Sequence, residues 1–481
     1  VASDARGGGV TGIHALFGVA GAEVRRAWRH GVTRTVLAAG LVLSAVVVVV
    51  GSVRESAWES ARDAHAATAD AQWHAQPDRH PHRVVHFGDF VFKPPQPFAV
   101  IDWGVEAHAG RAVFLEGHRQ NPANFAEARE SAGLLGLGAL DPARYVTVVV
   151  PLLMLFAGAG AVASERRDGT WLHLQLSGVG ATRILFGKAL ATWGLGLLLA
   201  APVLLAAAGI GLGSGETGRG LALSALYAGH LAIVALAVVG LSALAREPAT
   251  ALLLGVMVWC LAVLVGPRAA ATAAALRHPA PSPVELDVAV DRALRAIGDA
   301  HDPDAPHFAR FREETLRRHG VDRVEDLPLN WGGLVMLEGE RLGAAAIATL
   351  TGRQFDAQRA QDAAMARWGI ALPSLAVERL SRTLAGTDGE AHRRFLRAAE
   401  HRRYIMVQQL NRLHAERILL ENDRAQRLDA SHWGRIARDD GALRPGYTAI
   451  APGLVVALVL WLGGGAAGLA LVGRRLERRP C

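Results

Sequence analysis

The chain has 481 residues, about half of them hydrophobic and a fifth charged, with a formal net charge of +7. That mixture suits a membrane protein with large polar insertions better than a bundle buried throughout in lipid. Its two cysteines, Cys260 in an apolar run and Cys481 at the last position, lie in different environments, which argues against a structural disulfide and offers no cysteine metal site.

Residues 1–34 form a polar N-terminal segment. Within it Ile13, Leu16, Phe17, Ala20, Val24 and Trp28 recur at helical spacing. This fits an amphipathic helix lying along the membrane surface, the other reading being a plain lead into the first span. A bilayer core takes about 20 apolar residues per helix. Six runs qualify: 35–53, 145–163, 189–211, 221–244, 249–266 and 448–472. The first is uncharged and long enough to stay in the membrane, so it reads as an anchor and not a cleaved leader.

Arginine and lysine near the span ends set the orientation. They gather in 1–34, in the loop 164–188, at Arg246 and in the tail 473–481, all on one side if there are six spans. That side is then the cytoplasm, with both termini in it. The positive charge is accounted for by this rule and implies no nucleic acid.

Two long polar stretches fall on the opposite side, 54–144 and 268–447. The first opens with an alanine-rich helical pattern that prolongs the first span. HRVVHFGDFVF, PFAVIDWGV and RAVFLEG then read as short strands between proline and glycine. The second reads as mainly helical, starting at the Ser-Pro of PSPVELDVAVDRALRAIGD. The fold class is therefore an α-helical polytopic membrane protein with six transmembrane helices and two extracytoplasmic insertions, the first mixed α/β.

No phosphate loop G-x-x-x-x-G-K-[ST], zincin motif or nucleophile elbow is present. Any ATP-driven work needs its ATPase on another chain. His65, His74, His80, His82 and His86 cluster in the first insertion. Imidazole binds zinc and copper, which makes His80, His82 and His86 candidate metal ligands. The plainer reading is solvated residues of a chain with 19 histidines. His230 falls inside the fourth span, where an ionisable group is either functional or a helix–helix hydrogen-bonding group, the reading favoured here.

The loop 164–188 carries Glu165-Arg166-Arg167-Asp168-Gly169-Thr170, then the Leu-rich LHLQL with Leu172 and Leu174, then Arg183 and Gly187-Lys188 before the third span. This resembles the E-[RK]-x-x-G-T loop and coupling helix of ABC-2-type permeases, membrane subunits of ABC transporters. The six spans and the large insertions after the first and fifth resemble one subgroup of them. Trp171-Leu172-His173 departs from the plain leucine run usual there. The resemblance implies a permease in a bacterial inner membrane, coupled through these loop residues to a separate ABC ATPase that supplies ATP and Mg chemistry. It also implies a second permease subunit, identical or similar, an extracytoplasmic or outer-membrane partner in some members, and export more than import. The reading from another class is a membrane-anchored sensor or assembly scaffold. An intrinsic enzyme finds no catalytic constellation to rest on.

Overall fold

A computed structural model describes residues 8–117, 120–123, 140–298, 305–436, 443 and 446–478. Six of its helices are long and apolar enough to cross a membrane: Gly31–His74, Pro142–Arg167, Ala181–Gly213, Thr217–Leu244, Pro248–Arg277 and Pro452–Arg478. The second lies at the centre of the bundle. Of its most apolar stretch 61% is buried within the chain, against 11% for the fifth and sixth, whose flanks are left to lipid or to another subunit.

Each helix takes its shape from its residues. The first span has 44 residues, about 66 Å at 1.5 Å per residue, so it runs well past a ~30 Å hydrocarbon core and carries Glu55 and Trp73 outward. The second and fifth spans each contain one π-helical stretch, Tyr145–Val149 and Leu261–Val265. Each stretch is followed by a proline, Pro151 and Pro267, which removes a backbone donor and crowds the turn before it; the wider turn accommodates that. The third and fourth spans form an antiparallel hairpin that closes on glycine. A Cβ on Gly220 would stand 2.5 Å from the Ala207 carbonyl oxygen and 3.1 Å from Gly211 Cα. Gly158 and Gly196 likewise admit Val238 and Met154, whereas Gly194 faces open space.

One end of the bundle gathers the N-terminal helix Gly8–Arg29, the turn between the second and third spans and the end of the sixth. We call it the loop end. The opposite end carries the insertions. Of the runs read there as strands, only two pair: β1 (Asp89–Phe92) and β2 (Ala112–Leu115), antiparallel with Asp89 opposite Leu115. HRVVHF is instead a helix, Pro81–Phe87, set by Pro81 at its first turn. PFAV forms a single 3-10 turn, because prolines 94, 95 and 97 give a strand no donors there. Phe98 and Ile101 pack instead into the core shared by the first, second and third spans.

The second insertion is helical, with long helices Trp331–Ala371 and Gly389–Arg417 packed together. The two insertions build one core. Trp73, Val84, Val91, Val113 and Leu115 of the first interdigitate with Phe395, Met406, Leu410 and Trp433 of the second. Backbone bonds join Arg79 to Leu428 in both directions, at 3.2 and 3.0 Å. The Trp73 indole donates to the Trp433 carbonyl, and the Trp433 indole donates to that of Pro77. What the sequence offers as two insertions is a single composite domain.

Candidate functional site

At the loop end the second span breaks after Gly158. Ser242 of the fourth span secures the break: its hydroxyl donates to the Ala159 carbonyl and accepts from the N–H groups of Val162 and Ala163. A short helix Ala163–Arg167 then reverses at Gly169, whose φ of +72° is a left-handed conformation that glycine takes without steric cost. The elbow helix Thr170–Leu176 follows. Its Trp171 is buried among Val162, Ile184, Leu185, Val239 and Leu469. The Gln175 amide donates to the Leu476 carbonyl, and Glu477 accepts from the Thr182 N–H at the start of the third span. The elbow is thus held against the second, third, fourth and sixth spans together.

The loop residues singled out in the sequence separate into two groups. Glu165, Arg166, Leu174 and Lys188 turn inward. Lys188 is 1% exposed, donates to Glu165 at 2.7 Å and also pairs with Glu23 of the N-terminal helix. Arg26 lies 3.7 Å from Glu165 and 3.9 Å from Glu23. Arg166 donates to the Ala243 carbonyl at 2.7 Å, satisfying an open acceptor at the end of the fourth span. Arg167, Asp168, Gly169, Thr170, Leu172 and Arg183 are exposed. Leu176 is 75% exposed and Leu172 45%, an uncovered apolar edge between charges. Arg167 and Asp168 pair with each other, at 2.9 Å.

Sequence reasoning missed Glu23 and Ser242. One signal pointed at the clamp: of 51 basic residues only Lys93 and Lys188 are lysine. Both are buried against carboxylates, Lys93 against Glu106. A compact ammonium offers three donors that can be shared between carboxylates arriving from different helices.

The N-terminal helix crosses the third span closely, since a Cβ on Gly187 would stand 2.7 Å from Val19. Its Ile13, Phe17, Val24 and Trp28 lie exposed along one face. Beside it a cavity of about 350 Å³ is lined by Glu23, Arg26, His30, Met154 and Thr192. His230 is buried in the fourth span with no well-formed hydrogen bond to either ring nitrogen.

At the insertion end Ser381 donates to Asp102 and lies 2.7 Å from the Tyr227 hydroxyl of the fourth span. The Asp102 carboxylate accepts from Gly104 N–H, and Asp141 accepts from Arg144 N–H at 2.7 Å and Trp103 N–H at 3.3 Å. Burial pushes Asp102 above the usual carboxylate range, and burial beside the Asp102 charge pushes Asp141 up to about 7. The three candidate metal histidines part company. His82 and His86 bring their Nε2 atoms to 3.3 Å of each other, while His80 faces His414 and Asp423 of the second insertion.

Six membrane-length helices joined by a clamped elbow define a multi-pass helical membrane protein. Residues 24–289 match the ABC-2 family transporter proteins, and the chain belongs to that family. It is a permease subunit of an ABC transporter, a multi-pass membrane protein. Residues 284–438, most of the second insertion, match a domain of unknown function (DUF3526). No curated protein matches the chain.

Proposed function

We propose that the elbow Thr170–Leu176 and the exposed turn before it dock a separate ABC ATPase, and that the protein exports its substrate with a second permease subunit beside it. The observation that carries this is the two-sided elbow. Trp171 and Gln175 fix it to the spans, while Leu172 and Leu176 are left uncovered. A docking surface that transmits force needs a rigid mount on one side and an apolar anchor within a charged register on the other. The Glu23–Lys188–Glu165 clamp joins three elements behind it, so a push on the elbow reaches the N-terminal helix and the third span together. The exposed stripe of Ile13, Phe17, Val24 and Trp28 suits insertion into the inner leaflet. The loop end then faces the cytoplasm, in line with its arginines, and the composite domain caps the path outside. The weakly buried fifth and sixth spans leave surface for the second subunit.

Orientation is the first thing to test. In intact cells a membrane-impermeant thiol reagent should label a cysteine placed at Asp70 or Asp322, both exposed. It should not label one at Asp168 until the membrane is opened. Labelling at Asp168 from outside would turn the elbow away from any cytoplasmic ATPase.

A further inference from the structure

We propose that His80, His414 and Asp423 form a metal site, of the class that takes Zn²⁺, across the seam between the two insertions. One ring nitrogen each of His80 and His414 and a carboxylate oxygen of Asp423 all lie within 4.8 Å of one another. Among the described residues this is the one group of three or more such side chains that converges on a common point. His80 caps the helix Pro81–Phe87 in the first insertion. His414 ends the long helix Gly389–Arg417, and Asp423 follows the turn Leu420–Asn422 in the second.

The donors suit a borderline divalent ion. Two imidazoles and one carboxylate are a common zinc set, whereas calcium and magnesium prefer oxygen throughout. The His414 ring nitrogen Nε2 meets Asp423 Oδ1 at 2.7 Å, and His80 Nε2 lies 3.9 Å from the same oxygen. Two ligands at about 2.0–2.1 Å on a tetrahedral ion stand roughly 3.3 Å apart. The gap from His80 to Asp423 therefore closes by about half an ångström, that from His414 opens by a similar amount, and the two histidine nitrogens, within 4.8 Å of each other, close by up to about 1.5 Å.

The surroundings prepare the site. His80 Nε2 is buried and makes no hydrogen bond, and the two histidine rings meet edge to face at 4.5 Å. An ion would give that nitrogen a partner. Asn330 donates to Asp423 Oδ1 at 2.7 Å and is itself held by capping Gly333 N–H, so the carboxylate is oriented by a fixed neighbour. The side chains of His80 and His414 are 12% and 6% exposed, but that of Asp423 is 35% exposed. The ion has a way in and a fourth position for water. Coordination through Nε2 places the ring proton on Nδ1, so His80 gives up the bond it accepts from His82 N–H at 3.2 Å. One cap of a seven-residue helix is lost for a metal ligand gained.

The test uses the full chain in detergent, stripped with a chelator and titrated with Zn²⁺ by metal analysis and with Co²⁺ by its visible absorption. The parent should bind one ion per chain at micromolar free metal, with a tetrahedral cobalt spectrum. His414→Ala and Asp423→Asn should each weaken binding by more than about 100-fold, beyond the 10–100-fold typical of outer-shell changes. His82→Ala with His86→Ala should leave it unchanged. Should His414→Ala fail to fold, His80→Ala gives the same readout from the rim of the seam. No bound ion in the parent overturns the proposal. So does an ion that survives the loss of His414 and Asp423 together, or one that leaves with His82 and His86.

Discussion

Lys188 sits where three helices meet, nearly sealed from solvent, with carboxylates of Glu23 and Glu165 against it. Lys188→Met would leave two carboxylates facing each other with only the more distant Arg26 to offset them. Breaking a buried pair on one side costs about 3–5 kcal/mol, so the variant should melt well below the parent in detergent. Adding Glu165→Gln should recover part of that loss, and a single variant as stable as the parent would remove the clamp from the account. A second buried charge makes a pH prediction. The carboxyl of Asp141 has an ordinary value of 3.8 and is pushed up to about 7 in the fold. Between those values the folded state holds more protons than the unfolded, so this group's contribution to stability falls as pH rises from about 4 through about 7 and is flat above. Asp102 shifts the same way beside it, so the pair titrates as a unit. The melting difference between Asp141→Asn and the parent should therefore move in the variant's favour from pH 5 to pH 8. A difference that ignores pH would contradict the shared burial.

Among the elements, the hairpin of the third and fourth spans rests on backbone contact at Gly220. Gly220→Ala meets a carbonyl oxygen that cannot step aside, so it should cost about 1–3 kcal/mol, as overpacking does. Gly218→Ala, one turn edge away with nothing within 4 Å, should fall within about 0.5 kcal/mol of the parent. Thermal melts of the two variants side by side decide it. The spans themselves were legible in the sequence, because a bilayer requires long apolar runs and hydropathy is a local property. The elbow was legible too, as Gly169-Thr170 followed by a leucine-rich turn. Its internal sorting was not. Whether Glu165 faces a partner or Lys188 depends on a helix more than a hundred residues earlier that brings Glu23 alongside. The strand reading of PFAV failed because apolar alternation there serves packing on the spans, while the prolines exclude a ladder.

In the whole molecule the two insertions fold as one domain, a result no local pattern could supply. The Trp73 indole donates to the Trp433 carbonyl across 360 positions of sequence, and Arg402 reaches Asp89 at 2.9 Å across the same seam. The histidine cluster shows the same effect: His80 leaves its sequence neighbours because the second insertion supplies His414 and Asp423. The molecule therefore has a rigid cap at one end and a mounted elbow at the other, joined by the spans. The central claim is that the elbow's uncovered edge is where an ATPase engages. The most direct measurement is the ATP hydrolysis rate of the assembled complex carrying Leu172→Asp and Leu176→Asp, reconstituted in lipid vesicles. Both side chains point out of the fold, so the variant should reach the membrane in normal amount and melt like the parent. Loss of two apolar anchors worth more than about 1 kcal/mol each should lower ATPase association, and the permease-dependent rate with it, by about tenfold or more. A complex that assembles and hydrolyses ATP at the parent's rate would contradict the claim.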